Sequence, residues 1–399
     1  MDFKFRDIFD KIKSWFPKKA QARIEAQAAE LEDRLDKKNF ISLSLEERAD
    51  YDQKIESLPL PEIYKNAIQA KISEVLYPWI NQKNTDNCLF ILFSPIEPIQ
   101  PLFEEILKQL EESGLPQKSL NWEVRPEELS GLKSQLQSQI NSFDESQNDH
   151  SQSLVIIPDL SLCFLRSTQG LDAVEYLLDQ ILKNRSRFWI IGCNQWAWKY
   201  FDCIYQVSGC FQETFCLPRL NAIELKKWLA PIYEDMELEF DVQKDQEENP
   251  LEEEPEEEKE WTSKKEKRYF ERLVNLSEGL SQAAAHLWLD SLQYIQSSDS
   301  EVQEEKHLIL KRVLLPKLPE IDKDERYLLA SIGLHREISL SALALSLGEE
   351  ELTIIIQLQR LLKTGIIGLR NEQLYLTPAY YSRLKRDLMD NRILLGDED

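Results

Sequence analysis

Residues 88–101 read CLFILFSPIEPIQP. Six apolar residues in a row, with no polar alternation, fit a strand covered on both faces. Such strands belong to parallel sheets sandwiched between helices. The run then breaks into the turn SPIEPIQP, with Pro95, Pro98 and Pro101. Each proline fixes φ and removes one backbone N–H donor. From Pro101, PLFEEILKQLEESG returns as an amphipathic helix that stops at Gly114.

Two further stretches repeat the pattern. SLVIIPDL (153–160) predicts a second buried strand, GLDAVEYLLDQILKN (170–184) a helix, and RFWIIGC (187–193) a third strand. Residues 84–220 are therefore an α/β domain around a parallel sheet. Residues 1–83 read as a helical region, with Ser44 and Glu47 spaced as a capping box. Residues 221–318 read as a helical lid, whose helix continues through SEGLSQAAAHLWLDSLQYI (277–295). An insertion at about 241–263 interrupts it. Between Asp245 and Glu260 there are ten acidic residues against one lysine, a composition that cannot bury apolar area and predicts disorder. Residues 319–391 show one helix over 323–334, a second in SLSALALSLG (339–348) and a third in EEELTIIIQLQRLLKTG (349–365). The short strands IIGL and QLYL follow. Three helices and a hairpin are the order of a winged helix-turn-helix.

In nucleotide-hydrolysing α/β proteins, phosphates sit where the first strand turns into its helix. Backbone N–H groups of a glycine-rich loop converge on them, and a lysine reaches the outer phosphates. Here that turn has no glycine and no lysine, and Glu97 adds negative charge. None of the 11 glycines is followed by lysine. At the tip of the second strand, Asp159 stands where a magnesium ion would be steadied, yet Leu160 follows where a water-orienting Glu is needed. Asn194 ends the third strand, at the position of a γ-phosphate sensor. Both polar residues equally suit caps or turns.

Over residues 84–390 this order resembles the AAA+/STAND-type P-loop ATPases. The carrying stretches are SLVIIPDLSLCFLRSTQGLDAVEYLLDQI (153–181), RFWIIGCNQWAW (187–198), LPRLNAIELKKWL (217–229) and GLSQAAAHLWLDSL (279–292). The resemblance implies an α/β P-loop-NTPase-like parallel sheet core with a helical N-terminal region, a helical lid and a C-terminal winged-helix domain. It implies vestigial nucleotide-binding positions at Asp159 and Asn194. With the phosphate loop and catalytic Glu missing, the expectation is a degenerate ATPase without a cofactor, leaving at most weak ATP and magnesium binding. The leading function is then a non-catalytic adaptor or scaffold for protein partners. The alternatives are an ATP-binding regulatory ATPase and a winged-helix DNA-binding regulator.

Charge bears on partners. The net charge is −23, which opposes broad phosphate-backbone binding. Residues 320–388 hold ten acidic and nine basic side chains. Glu349, Glu350 and Glu351 stand at the start of the third helix, where base-reading side chains would sit, while Arg360 and Lys363 come only at its end. Nucleic acid is not the expected partner. Residues 3–16, FKFRDIFDKIKSWF, line up Phe5, Ile8, Phe9, Ile12, Trp15 and Phe16 beside Lys4, Arg6, Lys11 and Lys13. Such a stripe suits an anionic membrane surface or a protein partner. No apolar run reaches the ~20 residues of a membrane span. The chain reads as cytoplasmic, peripheral on the cytosolic membrane face where that stripe engages lipid. Six cysteines without a CxxC pair and four scattered histidines assemble no metal site and are expected to be mostly buried or inert. No nucleophile–base motif appears, and His286 reads as a packed or surface residue.

Overall fold

The computed structural model describes residues 38–81, 86–111, 114–120, 125, 129–144, 152–234, 236–241, 260–297 and 306–394. The stripe of Phe5, Ile8, Phe9, Ile12, Trp15 and Phe16, and most of the acidic insertion, lie outside the described residues.

The described residues open with β1 (Lys38–Ser42), α1 (Leu45–Glu56) and α2 (Glu62–Ile80). Ser44 and Glu47 form the capping box expected at the start of α1. Then come β2 (Cys88–Phe93), α3 (Gln100–Glu111), β3 (Gln117–Ser119), α4 (Leu129–Asp144), β4 (Ser153–Ile157), α5 (Asp172–Lys183) and β5 (Arg187–Asn194). Helices α6 (Gln195–Tyr205) and α7 (Val207–Cys210) lead to β6 (Thr214–Cys216). These strands form a parallel sheet in the order β3-β4-β5-β2-β6. Every residue of β2, β4 and β5 is buried, which is why their sequences are unbroken apolar runs.

The order decides where a site can be. The chain leaves β2 for the far edge, returns through β3, β4 and β5, and then crosses to β6 on the other side of β2. Connections therefore depart in opposite directions from β2 and β5. A crevice opens outside the carboxyl ends of strands at such a switch point.

A second layer follows, with α8 (Ala222–Tyr233), β7 (Leu238–Asp241), α9 (Lys264–Ser277), α10 (Ser281–Ser291), β8 (Leu292–Ser297) and β9 (Lys306–Lys311). The expected helices are present. The helix expected through Ile295 nevertheless ends at Ser291, and β8 begins at once. Strands β1, β8, β9 and β7 make a four-stranded sheet, so neither the front region nor the lid is all-helical. The pairing of β1 with β8 joins residues some 250 positions apart, and local periodicity carries no trace of it.

The C-terminal unit runs α11 (Lys323–His335), β10 (Glu337–Ile338), α12 (Leu340–Leu347), α13 (Glu351–Thr364), β11 (Ile367–Arg370), β12 (Gln373–Leu376) and α14 (Tyr381–Asp390). The three helices and the hairpin fall where the sequence places them. A short β10 joins them to give the sheet β10-β12-β11. This unit does not stand apart. Phe90, Ile157 and Ile191 of the parallel sheet share one hydrophobic cluster with Leu328, Leu358 and Leu384. Trp196 stacks on Tyr381 and donates its indole N–H to the phenol oxygen. Gly333 permits the approach, because a Cβ there would stand 2.1 Å from the Trp196 ring.

Among the described residues no helix is long and apolar enough to cross a membrane, and no group of His, Cys, Asp and Glu is placed to hold a metal ion. Cys88, Cys163 and Cys193 are buried as expected of small hydrophobes, whereas Cys203, Cys210 and Cys216 are exposed. The exposed three follow β5, on α6, α7 and the edge strand β6, where the apolar look of the sequence overstates coverage.

Candidate functional site

The carboxyl ends of β2, β4 and β5 open onto a cleft of about 860 Å³, lined by Glu97, Asp159, His286, Arg336 and Arg370 among others. Gly192 on β5 lets the strand tips close up beneath it, since a Cβ there would meet the Pro158 carbonyl oxygen at 2.0 Å. The structure brings Asp159 and Asn194 together at this end of the sheet.

Asp159 does two things. Its Oδ1 accepts the Ser161 N–H at 2.9 Å, capping the short 3-10 turn Leu160–Cys163. Its Oδ2 accepts a hydrogen bond of 2.6 Å from the Arg336 guanidinium. Leu160, where a water-orienting Glu would be needed, is buried and offers no base. Asn194 is also doubly used. Its Oδ1 caps α6 by accepting the Trp196 N–H, and its Nδ2 donates to the Gly333 and Leu334 carbonyls at 2.7 and 3.1 Å.

Those carbonyls belong to the last turn of α11, where the Arg336 N–H reaches the Gly333 carbonyl at 3.4 Å and the helix supplies few other donors. The core supplies the donors. Besides Asn194, the buried Arg125 donates to the His335 carbonyl at 3.5 Å, and it also holds the Phe164, Ser161 and Glu337 carbonyls at 2.7, 2.6 and 3.2 Å. Burial pulls its guanidinium down to about 10, so it stays charged at neutral pH. The negative end of the α11 dipole thus faces Arg125 and Asn194.

Arg336 lies one residue past α11 with φ 61° and ψ −63°, a sparsely populated conformation whose cost is on the order of 1–3 kcal/mol. Its side chain offsets this. Besides the Asp159 pair, it donates to the Pro95 carbonyl at 3.2 Å and to the Glu97 carbonyl at 3.0 Å, and it lies over the Phe93 ring. The turn SPIEPIQP is therefore the reverse of a phosphate cradle. Proline removes N–H groups from it, and its carbonyls converge on a cation.

Glu97 fills the other half of the crevice. Its buried carboxyl accepts the Ser281 hydroxyl, at the start of α10. Helix N-termini attract anions, and this one takes the chain's own carboxyl, since Leu280 gives no side-chain cap. Burial outweighs this bond and raises the Glu97 carboxyl above its usual range. Its Oε1 has no partner among the described residues.

The remaining cations of the cleft are engaged. Arg370 pairs with Glu337 at 2.8 Å and Glu56 at 3.3 Å, and Arg48 pairs with Asp290. His286 Nδ1 lies 3.6 Å from Asp52, with burial lowering its pKa below 6.5. His335, fully buried, receives the Arg166 backbone N–H on Nε2 while Nδ1 donates to the Ser331 carbonyl. Burial first, and then Arg125, hold it well below the ordinary imidazole range, so it is neutral.

The residues present do not fit a magnesium–nucleotide. A guanidinium stands against the carboxylate that would steady the metal, carbonyls replace N–H donors, and a carboxyl caps the helix end. Sequence reasoning found Asp159, Asn194 and the reversed turn. It missed Arg336, Arg125 and His335, whose only local signal is a His-Arg pair closing a helix. The Arg360 side chain, weighed above as a phosphate contact, is bound to Glu325 and the Glu320 carbonyl.

A parallel α/β core with the strand order β3-β4-β5-β2-β6, packed against its own C-terminal unit, is the class that the fold defines. No protein-family model matches the chain, and no curated protein matches it. Solved structures do. The RuvB Holliday junction branch migration motor of Thermotoga maritima is 16% identical, covering 83% of this chain and 98% of that one, with a TM-score of 0.32. The ORC1 protein of Aeropyrum pernix, solved in complex with DNA, is 13% identical, with coverages of 84% and 95% and a TM-score of 0.38. The PCH-2 protein of C. elegans is 12% identical over 61% and 65%, with a TM-score of 0.34. Superpositions this loose carry nothing of those proteins' activities to this chain.

Proposed function

We propose that this chain is a non-catalytic adaptor, a degenerate ATPase-like frame that binds other proteins through its outer faces. The carrying observation is the Arg336 guanidinium, bound to Asp159 and to the Pro95 and Glu97 carbonyls where a metal–nucleotide would have to arrive. A crevice filled in this way has no donors to spare for a polyphosphate. The C-terminal unit is read as a winged helix, with α13 as the helix that would enter a DNA major groove. Its outward face carries Glu349, Glu350 and Glu351 followed by exposed Leu352 and Ile356. Glutamates repel phosphate and exposed aliphatic side chains favour protein, so protein docking is the use proposed for it.

Titration calorimetry of the full chain with magnesium and ATP at millimolar concentration tests this reading. No heat of binding is expected. Tight ATP binding, or magnesium-dependent turnover abolished by Asp159→Ala, would overturn it.

A further inference from the structure

The outward face of α13 has a defined chemistry. Leu352 and Ile356 are 75% and 74% exposed, and four-residue spacing puts them side by side. Gln359 and Lys363, also exposed, follow on the same side of the helix. Glu349, Glu350 and Glu351 stand at one end of this stripe, all exposed. None of the three takes part in the ion pairs found among the described residues. An apolar stripe headed by three carboxylates fits an amphipathic helix with a basic flank.

The chain itself contains such a segment. Residues 3–16 combine Phe5, Ile8, Phe9, Ile12, Trp15 and Phe16 with Lys4, Arg6, Lys11 and Lys13. Residues 1–23 carry seven basic and three acidic side chains in a protein of net charge −23. Reach is no obstacle. The 21 residues from 17 to 37 precede β1; as the helix that their sequence predicts they span roughly 30 Å, and fully extended roughly 70 Å.

We propose that residues 3–16 seat their aromatic stripe on Leu352 and Ile356 of the same chain, with their basic side chains against Glu349, Glu350 and Glu351. The segment then covers the docking face and competes with any protein partner for it. The inference rests on reading α13 as a protein-docking helix. ATP calorimetry addresses the closed crevice alone, so the two ideas fail separately.

The test uses the full chain with benzoylphenylalanine incorporated at position 9, irradiated without lipid and mapped by mass spectrometry. The expected crosslink falls within one chain, on residues 345–363. Ile356→Asp should cut its yield at least fivefold, and Leu45→Asp, an exposed position on α1, should leave it unchanged. A crosslink that lands elsewhere, joins two chains, or survives Ile356→Asp at full yield overturns the proposal. So does a probe that labels no protein while the chain floats strongly on vesicles of anionic phospholipid, which would assign residues 3–16 to a membrane surface.

Discussion

The crevice at the end of the parallel sheet and the outward face of α13 are built on opposite terms. In the crevice the strong donors turn inward, and Arg125, Arg336 and Asn194 hold carbonyls or a carboxylate of the same chain. On α13, Leu352 and Ile356 stand in solvent beside three glutamates. The difference shows where each region's interactions must come from. A buried polar group without a partner is costly, and Arg125, Arg336 and Asn194 are satisfied by the chain's own atoms. An exposed helix face is under no such demand and can keep apolar side chains for another surface.

The largest effect that could break this contrast is expected from Arg336→Ala. The pair keeps 17% and 11% of its side chains exposed, so losing its charged hydrogen bond costs on the order of 1.5–3 kcal/mol, and two loop carbonyls lose their donor as well. Urea unfolding should register a loss of that size. A loss below about 1 kcal/mol would make the crevice as dispensable as an outer face. Gly333→Ala comes next. Its Cβ runs into the Trp196 ring, and overpacking of this kind costs about 1–3 kcal/mol, readable as a lowered melting temperature.

Acidification sharpens the picture further. His335 is held well below its ordinary 6.5 in the folded chain, so the unfolded chain takes up the proton first. Its contribution is complete above pH 6.5 and is lost as the pH falls, by up to about 1.4 kcal/mol per pH unit. Unfolding followed from pH 7 to 5 should show a shallower slope in His335→Gln than in the unaltered chain; equal slopes would mean that this imidazole does not report on the joint. The smallest effect is expected from Ile356→Asp, within about 0.5 kcal/mol in stability. A larger loss would place Ile356 in the fold and not on a docking face.

Much of this was readable from residues alone, for a physical reason. Strands β2, β4 and β5 are covered on both faces, so CLFILF, SLVII and RFWII announce themselves as apolar runs. Their tips follow from them, which located Asp159, Asn194 and the proline-rich turn. The sheet of β1, β8, β9 and β7 was not readable, because LQYIQS follows directly on α10 and pairs with β1, some 250 positions back, as well as with the neighbouring β9. The groups that close the crevice were hidden for the same reason. Arg336 meets Asp159 across 177 positions, and Arg125 meets Glu337 across 212. Nothing local distinguishes an arginine that closes a helix from one that holds a fold together.

The hydrophobic cluster that runs from Phe90 through Trp196 to Leu384 has a mechanical consequence. A terminal unit that could swing against a sheet would need a seam that opens at little cost. Here the seam lies inside the core, so the C-terminal unit and the sheet should melt in one cooperative step. Their slowest-exchanging amides should share a single opening free energy. Among the described residues, the joint between the sheet and the C-terminal unit is built as core and not as a hinge.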